Sequence, residues 1–101
     1  MVIPISVEVH CLQWSSEGNN RYRLYVNDEL MVERDWLWGE HTFIVENLIV
    51  DLVPDTDHVV RVEIVRLNPQ YLTYFRLDKL VVNDQPQPID DNFHNTIAFR
   101  I

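Results

Sequence analysis

Between Ile3 and Cys11 the chain alternates: Ile3, Ile5, Val7, Val9 and Cys11 fall on one side, and Pro4, Ser6, Glu8 and His10 on the other. A period of two predicts a half-buried strand, because successive side chains of an extended chain point to opposite faces. The stretch from Ser15 to Asn20 collects turn formers, after which Tyr22, Leu24 and Val26 resume the alternation against Arg21, Arg23 and Tyr25. Asn27 and Asp28 tolerate the left-handed backbone of a tight hairpin, so a third strand is expected next, with Leu30 and Val32 on one face. Thr42 to Leu52 is a β-branched stretch long enough for one bent strand or two short ones, and Pro54 to Asp57 closes it. From His58 to Arg66 the alternation returns, with Val60, Val62 and Ile64 opposed by Arg61, Glu63 and Val65. Asn68 and Pro69 make a break, and Tyr71 to Val82 reads as one long strand or two. Asn83 to Asp91, with its prolines and aspartates, reads as a loop that cannot pair regularly. Thr96 to Ile101 is a short last strand with Ile97, Phe99 and Ile101 on one face.

Nowhere does a 3.6-residue apolar period persist. Seven or eight closely spaced strands predict one all-β domain over residues 1–101, a two-sheet antiparallel β-sandwich of jelly-roll or immunoglobulin-like kind, with the strand order open. Leu24-Tyr25-Val26-Asn27-Asp28 is echoed by Leu80-Val81-Val82-Asn83-Asp84. Five residues are too few for a duplicated domain and point instead to two strands entering similar turns.

Composition sharpens this picture in three places. With 101 residues, 47% of them hydrophobic, the chain has enough apolar surface for one core without metals or disulfides. The lone Cys11 sits in the apolar row of the first strand, where a small buried hydrophobe fits. The net charge of −8, with Lys and Arg scattered singly, disfavours nucleic acid and anionic membranes, since both attract clustered cations. No apolar run approaches the length of a membrane span, and Met1-Val2-Ile3-Pro4 opens no signal peptide, so a cytosol-like compartment is expected.

The run Asn20-Arg21-Tyr22-Arg23-Leu24-Tyr25-Val26-Asn27-Asp28-Glu29-Leu30, followed by Glu33-Arg34-Asp35-Trp36-Leu37, resembles a group of small uncharacterised proteins of tailed phages (myophages) infecting marine cyanobacteria. The likeness extends from Val9-His10-Cys11-Leu12 to the terminal strand. No enzymatic motif defines that group. The resemblance implies a virion or virion-assembly role, with the protein in the host cytoplasm during assembly and in the virion afterwards.

Candidate chemistry is sparse. His10, His41, His58 and His94 lie at no zinc-pair spacing, and each reads as solvated surface histidine rather than a ligand. No Gly-x-Ser-x-Gly elbow occurs, and with Cys11 in the core a nucleophile is missing. Asp55 with Asp57, and Asp90-Asp91-Asn92, supply too few oxygens for calcium, and turn formation accounts for the first pair. The remaining constellation is aromatic. Trp36 and Trp38, two apart, would share one side of a strand, with Asp35 and Glu40 beside them. Such a patch suits a glycan, stacked on the rings and oriented by carboxylates, while filling of the core or a subunit interface is the commoner use of tryptophan. Trp14 and Tyr25 are open to the same two readings.

These features select a non-catalytic structural or interaction module with no cofactor and no metal. Its expected partners are other structural proteins or a second copy of the chain; a carbohydrate-binding, lectin-like module is the alternative. The candidate contact residues are Trp36, Trp38, Asp35, Trp14 and Tyr25.

Overall fold

A computed structural model describes residues 1–13, 21–39, 41–65, 74–89 and 95–101. The chain is an all-β sandwich of two antiparallel four-stranded sheets with no helix among the described residues. In chain order the strands are β1 (Val2–Gln13), β2 (Arg21–Val26), β3 (Glu29–Asp35), β4 (Thr42–Asp51), β5 (Asp57–Val65), β6 (Tyr74–Val82), β7 (Gln85–Pro86) and β8 (Thr96–Arg100). One sheet has the order β4-β1-β6-β7 and the other β3-β2-β5-β8. Their inner faces enclose a single core. The first sheet gives it Ile3, Ile5, Val7, Val9, Cys11, Leu48, Val50, Phe75, Leu77, Leu80 and Val82, and the second Tyr22, Leu24, Val26, Val60, Val62, Ile97 and Phe99. The alternation expected of the first, second, fifth and last strands is therefore the inward row of each, Ile64 and Ile101 being partly buried against that core.

Two turns explain the sequence echo. Asn27 and Asp28 have φ of 50° and 64°, and Asn83 and Asp84 have 49° and 65°. Two consecutive left-handed residues form the hairpin turn whose twist matches that of its strands, and Asn and Asp adopt it at low cost. The second turn corrects the expectation that 83–91 forms a loop without pairing: Gln85 and Pro86 add a two-residue strand against Val82 and Val81. Pro86 is tolerated there because β7 is an edge.

Bulges on β3 and β6 interrupt the period of two. On β3, Leu30 pairs with Tyr25 while Val32 pairs with Leu24, so Met31 is an extra residue. Leu30 therefore joins the outward row with Tyr25, and Val32 turns inward with Leu24. The expectation that Leu30 and Val32 share a face fails for this reason. On β6 the register to β1 jumps from Glu8↔Asp78 to Ser6↔Val81, and Lys79 takes a left-handed φ of 47°. Thr42 to Leu52, open to one strand or two, holds the single unbroken strand β4 over Thr42–Asp51, pairing with β1 without a register shift.

Candidate functional site

The tryptophan patch does not form. The chain leaves β3 after Asp35, so Trp36 and Trp38 are not on a strand and do not share a face. Trp36 is 2% exposed, packs against Phe75 and Tyr22, and donates its indole N–H to the Gly39 carbonyl at 2.6 Å. Trp38 is 46% exposed and stands edge-on to Trp36 at 5.1 Å. Gly39, at φ 77°, supplies the left-handed bend that returns the connection toward β4, and Thr42 donates its hydroxyl to the same carbonyl. Trp36 thus takes the core reading and plugs the end of the sandwich.

Asp35 and Tyr25 are already engaged. Asp35 Oδ1 accepts from Arg21 Nε at 2.7 Å. The Tyr25 ring is covered by the Arg61 guanidinium at 4.3 Å. Trp14, Glu40, His94, Asp90, Asp91 and Asn92 lie outside the described residues. Of the other acidic pair, Asp55 is left-handed at φ 59° and sits in the 54–56 turn, where Thr56 donates to the Val53 carbonyl at 2.7 Å, as the turn reading expects.

His58 requires a correction. It is buried rather than solvated, because it falls in the inward row of β5 with Val60 and Val62. Nε2–H donates to the Val53 carbonyl at 2.9 Å, and Nδ1 accepts from the Asn27 side-chain amide at 2.9 Å. Asn27 in turn accepts from Val59 N–H through Oδ1, which aims its amide nitrogen at the ring. With both ring nitrogens engaged, His58 locks the first hairpin turn to β5.

Sequence reasoning missed a buried polar group at the join between the sheets. Glu46 points inward from β4, accepts a bidentate pair from Arg34 of β3 at 2.7 and 3.2 Å, and accepts the hydroxyl of Tyr22. Burial, then the hydrogen bond to Glu46, pushes the Tyr22 phenol well above its ordinary range, so it stays a neutral donor. The same carboxylate raises Arg34 further. This triad clamps the β3 edge to the β4 edge.

The outer face of the β4-β1-β6-β7 sheet is where unsatisfied surface collects. β4 reads Thr-Phe-Ile-Val-Glu-Asn-Leu-Ile-Val-Asp, apolar on both faces, as a strand covered on both sides would be. Among the described residues, one face alone is covered. Phe43 is 50% exposed, Val45 49% and Ile49 66%, and Val2 beside them on β1 is 65% exposed. A depression of about 200 Å³ lies in this face between Pro4, Ser6, Asn47, Ile49, Val81 and Asp84.

The edge of β4 is open as well. Leu52 N–H donates to the Met1 carbonyl, so the hydrogen-bonded pairs of the β1–β4 ladder join the even-numbered residues of β4 to the odd-numbered residues of β1. The N–H and C=O groups of Phe43, Val45, Asn47, Ile49 and Asp51 consequently point away from β1, and no described strand lies on that side. Backbone and apolar side chains are thus offered along one line.

Comparison of the chain with protein-family models, with curated proteins and with solved structures finds no match. No helix among the described residues is long and apolar enough to cross a membrane.

Proposed function

We propose that the chain is a non-catalytic structural module that joins a larger assembly by strand addition, with β4 accepting an extended, basic segment of another structural protein. The observation that carries this reading is the ten-residue β4, an edge strand whose outward row of Phe43, Val45 and Ile49 is left uncovered. An incoming strand would satisfy the outward backbone groups while its alternate side chains pack on that row. Charge decides the kind of partner. A second copy would bring two chains of −8 together, whereas a basic segment lowers that net charge as it binds. This assembly role agrees with the one that the resemblance to tailed-phage proteins implies. The carbohydrate reading has less to rest on, since Trp36, Tyr25 and Asp35 are occupied within the fold, and of the described candidates it keeps the exposed Trp38.

Asn47→Pro tests the reading directly. It removes an N–H that faces the open edge and leaves the β1 ladder whole, a position where an edge strand tolerates proline. The probe is a synthetic peptide alternating valine with lysine, compared with its valine–glutamate counterpart. Amide exchange should slow at Phe43, Val45, Asn47, Ile49 and Asp51 with the lysine peptide alone, and Asn47→Pro should abolish the effect. Unchanged exchange, equal binding of the acidic peptide, or a wild-type dimer through this edge at micromolar concentration would each reject the proposal.

A further inference from the structure

One strand in from the open edge, Glu8, His10 and Asp78 place one ligand atom each within 4.8 Å of one another. Glu8 and His10 are two apart on β1 and share its outward face; Asp78 is the register partner of Glu8 on β6. His10 Nε2 lies 2.8 Å from Glu8 Oε1. Its ring stacks on Phe43 of β4 with centroids 4.8 Å apart and planes inclined by 19°, so packing between neighbouring strands sets its direction before any ligand arrives. The β6 bulge at Lys79 follows Asp78 directly, and Asp78 Oδ1 accepts the Lys79 N–H at 2.8 Å. Bulges are a common means of re-aiming a side chain. All three residues are partly buried, on paired backbone rather than in loops.

We propose that Glu8, His10 and Asp78 form a binding site for a divalent transition ion, zinc above others, with its remaining coordination positions open to solvent. One imidazole with two carboxylates suits zinc and its neighbours, while calcium and magnesium prefer an all-oxygen set. Ligand atoms held about 2.0–2.2 Å from a tetrahedral ion stand about 3.3 Å apart, so the Glu8–His10 hydrogen bond has to open by about half an ångström. Side-chain rotation supplies that without moving a strand. Two carboxylates and a neutral imidazole match the charge of the ion. Arg76, 3.3 Å from Asp78 Oδ2, and Lys79, 3.9 Å from Glu8 Oε2, now provide the balancing charge. Lys79 is mostly solvated already and swings off when the ion binds, while Arg76, partly buried, shifts its guanidinium end away from Asp78. The site stands independently of strand addition at β4.

The test is calorimetric titration of zinc chloride into the full, tag-free chain at about pH 7.5, where histidine ligands are deprotonated. One ion per chain should bind, His10→Gln and Asp78→Asn should each weaken it at least about tenfold, and His41→Asn should leave it unchanged. Histidine ring resonances should move for His10 and stay for His58, whose two nitrogens are engaged in the core. Asp78→Asn keeps the side-chain shape, so it carries the test even where His10→Gln loosens the packing on Phe43. Absence of saturable binding up to about 1 mM zinc, or equal affinity in wild type, His10→Gln and Asp78→Asn, overturns the assignment.

Discussion

β3 and β4 are both edge strands, joined by the 36–41 connection and clamped together by Arg34 and Glu46, yet the chain treats the two edges oppositely. The β3 edge is blunted: it carries a bulge at Met31, the charges of Glu29, Glu33, Arg34 and Asp35, and ion pairs from Arg21 to Glu33 and Asp35. Each of these devices discourages another strand from pairing. β7 is blunted by its two-residue length and its proline, and β8 by its five-residue length. β4 has ten residues, a continuous register and an apolar outward row. Among the described residues β4 thus differs from the other three edges in length, register and apolar outward row, the contrast on which the proposed strand addition rests.

The largest way to break the comparison is at the corner that keeps the two edges apart. Trp36→Ala should cost about 3–5 kcal/mol in chemical denaturation, since it empties a buried site between Tyr22 and Phe75, whereas Trp38→Ala should cost under about 1 kcal/mol. Equal losses would mean that Trp38 shares the core. Next is the clamp. Glu46→Gln should lower stability by about 1–3 kcal/mol, because Arg34 and Tyr22 lose a charged acceptor. An unchanged midpoint would show that the edges are held by apolar packing alone.

The phenol of the same triad gives a smaller effect with a definite sign. Its pKa is raised above the ordinary 10.0, so between that value and the folded pKa the native state keeps a proton that the unfolded chain releases. Stability is therefore full below about pH 10 and falls as pH rises above it. Melting curves in that alkaline range should slope downward for wild type and flatten for Tyr22→Phe. The smallest expected change is the most informative about function: Val45→Lys should leave stability within about 0.5 kcal/mol, as on any solvated face, while abolishing strand addition. A large loss of stability would place Val45 in the core.

How much of this was legible in the sequence differs by element. Ile3 to Cys11, Tyr22 to Val26 and His58 to Ile64 show their strands by strict alternation, and the Asn-Asp pairs announce their turns. The position of His58 was legible too, since two steps from Val60 on a strand is the same face; its polarity argued for the surface, and the hydrogen bonds of Asn27 and Val53 decided otherwise. Met31 and Lys79 were not legible as bulges, because neither is glycine and nothing local in the sequence marks an unpaired residue. Strand order was hidden for the same kind of reason. It makes β4 an edge and puts Asp78 beside Glu8, so both the open edge and the His10 cluster depend on pairings between distant segments.

The place of β1 has a consequence in time. It lies in the middle of its sheet, yet both its partners are made after it: Val2 waits for Asp51, and Ile5 waits for Val82. The β2–β3 hairpin can close as soon as β3 follows the Asn27-Asp28 turn, whereas β1 must hold Ile3, Ile5, Val7 and Val9 unpaired until the chain has run through β4, and keep one edge vacant until β6. Closing such long loops before any contact rewards them puts folding in the slow range of milliseconds to seconds usual for non-local β-proteins. Until β4 is made, β1 carries two vacant edges and a bare apolar row. The strand that anchors the finished sheet is thus the most vulnerable to capture by a neighbouring chain while the protein is being made.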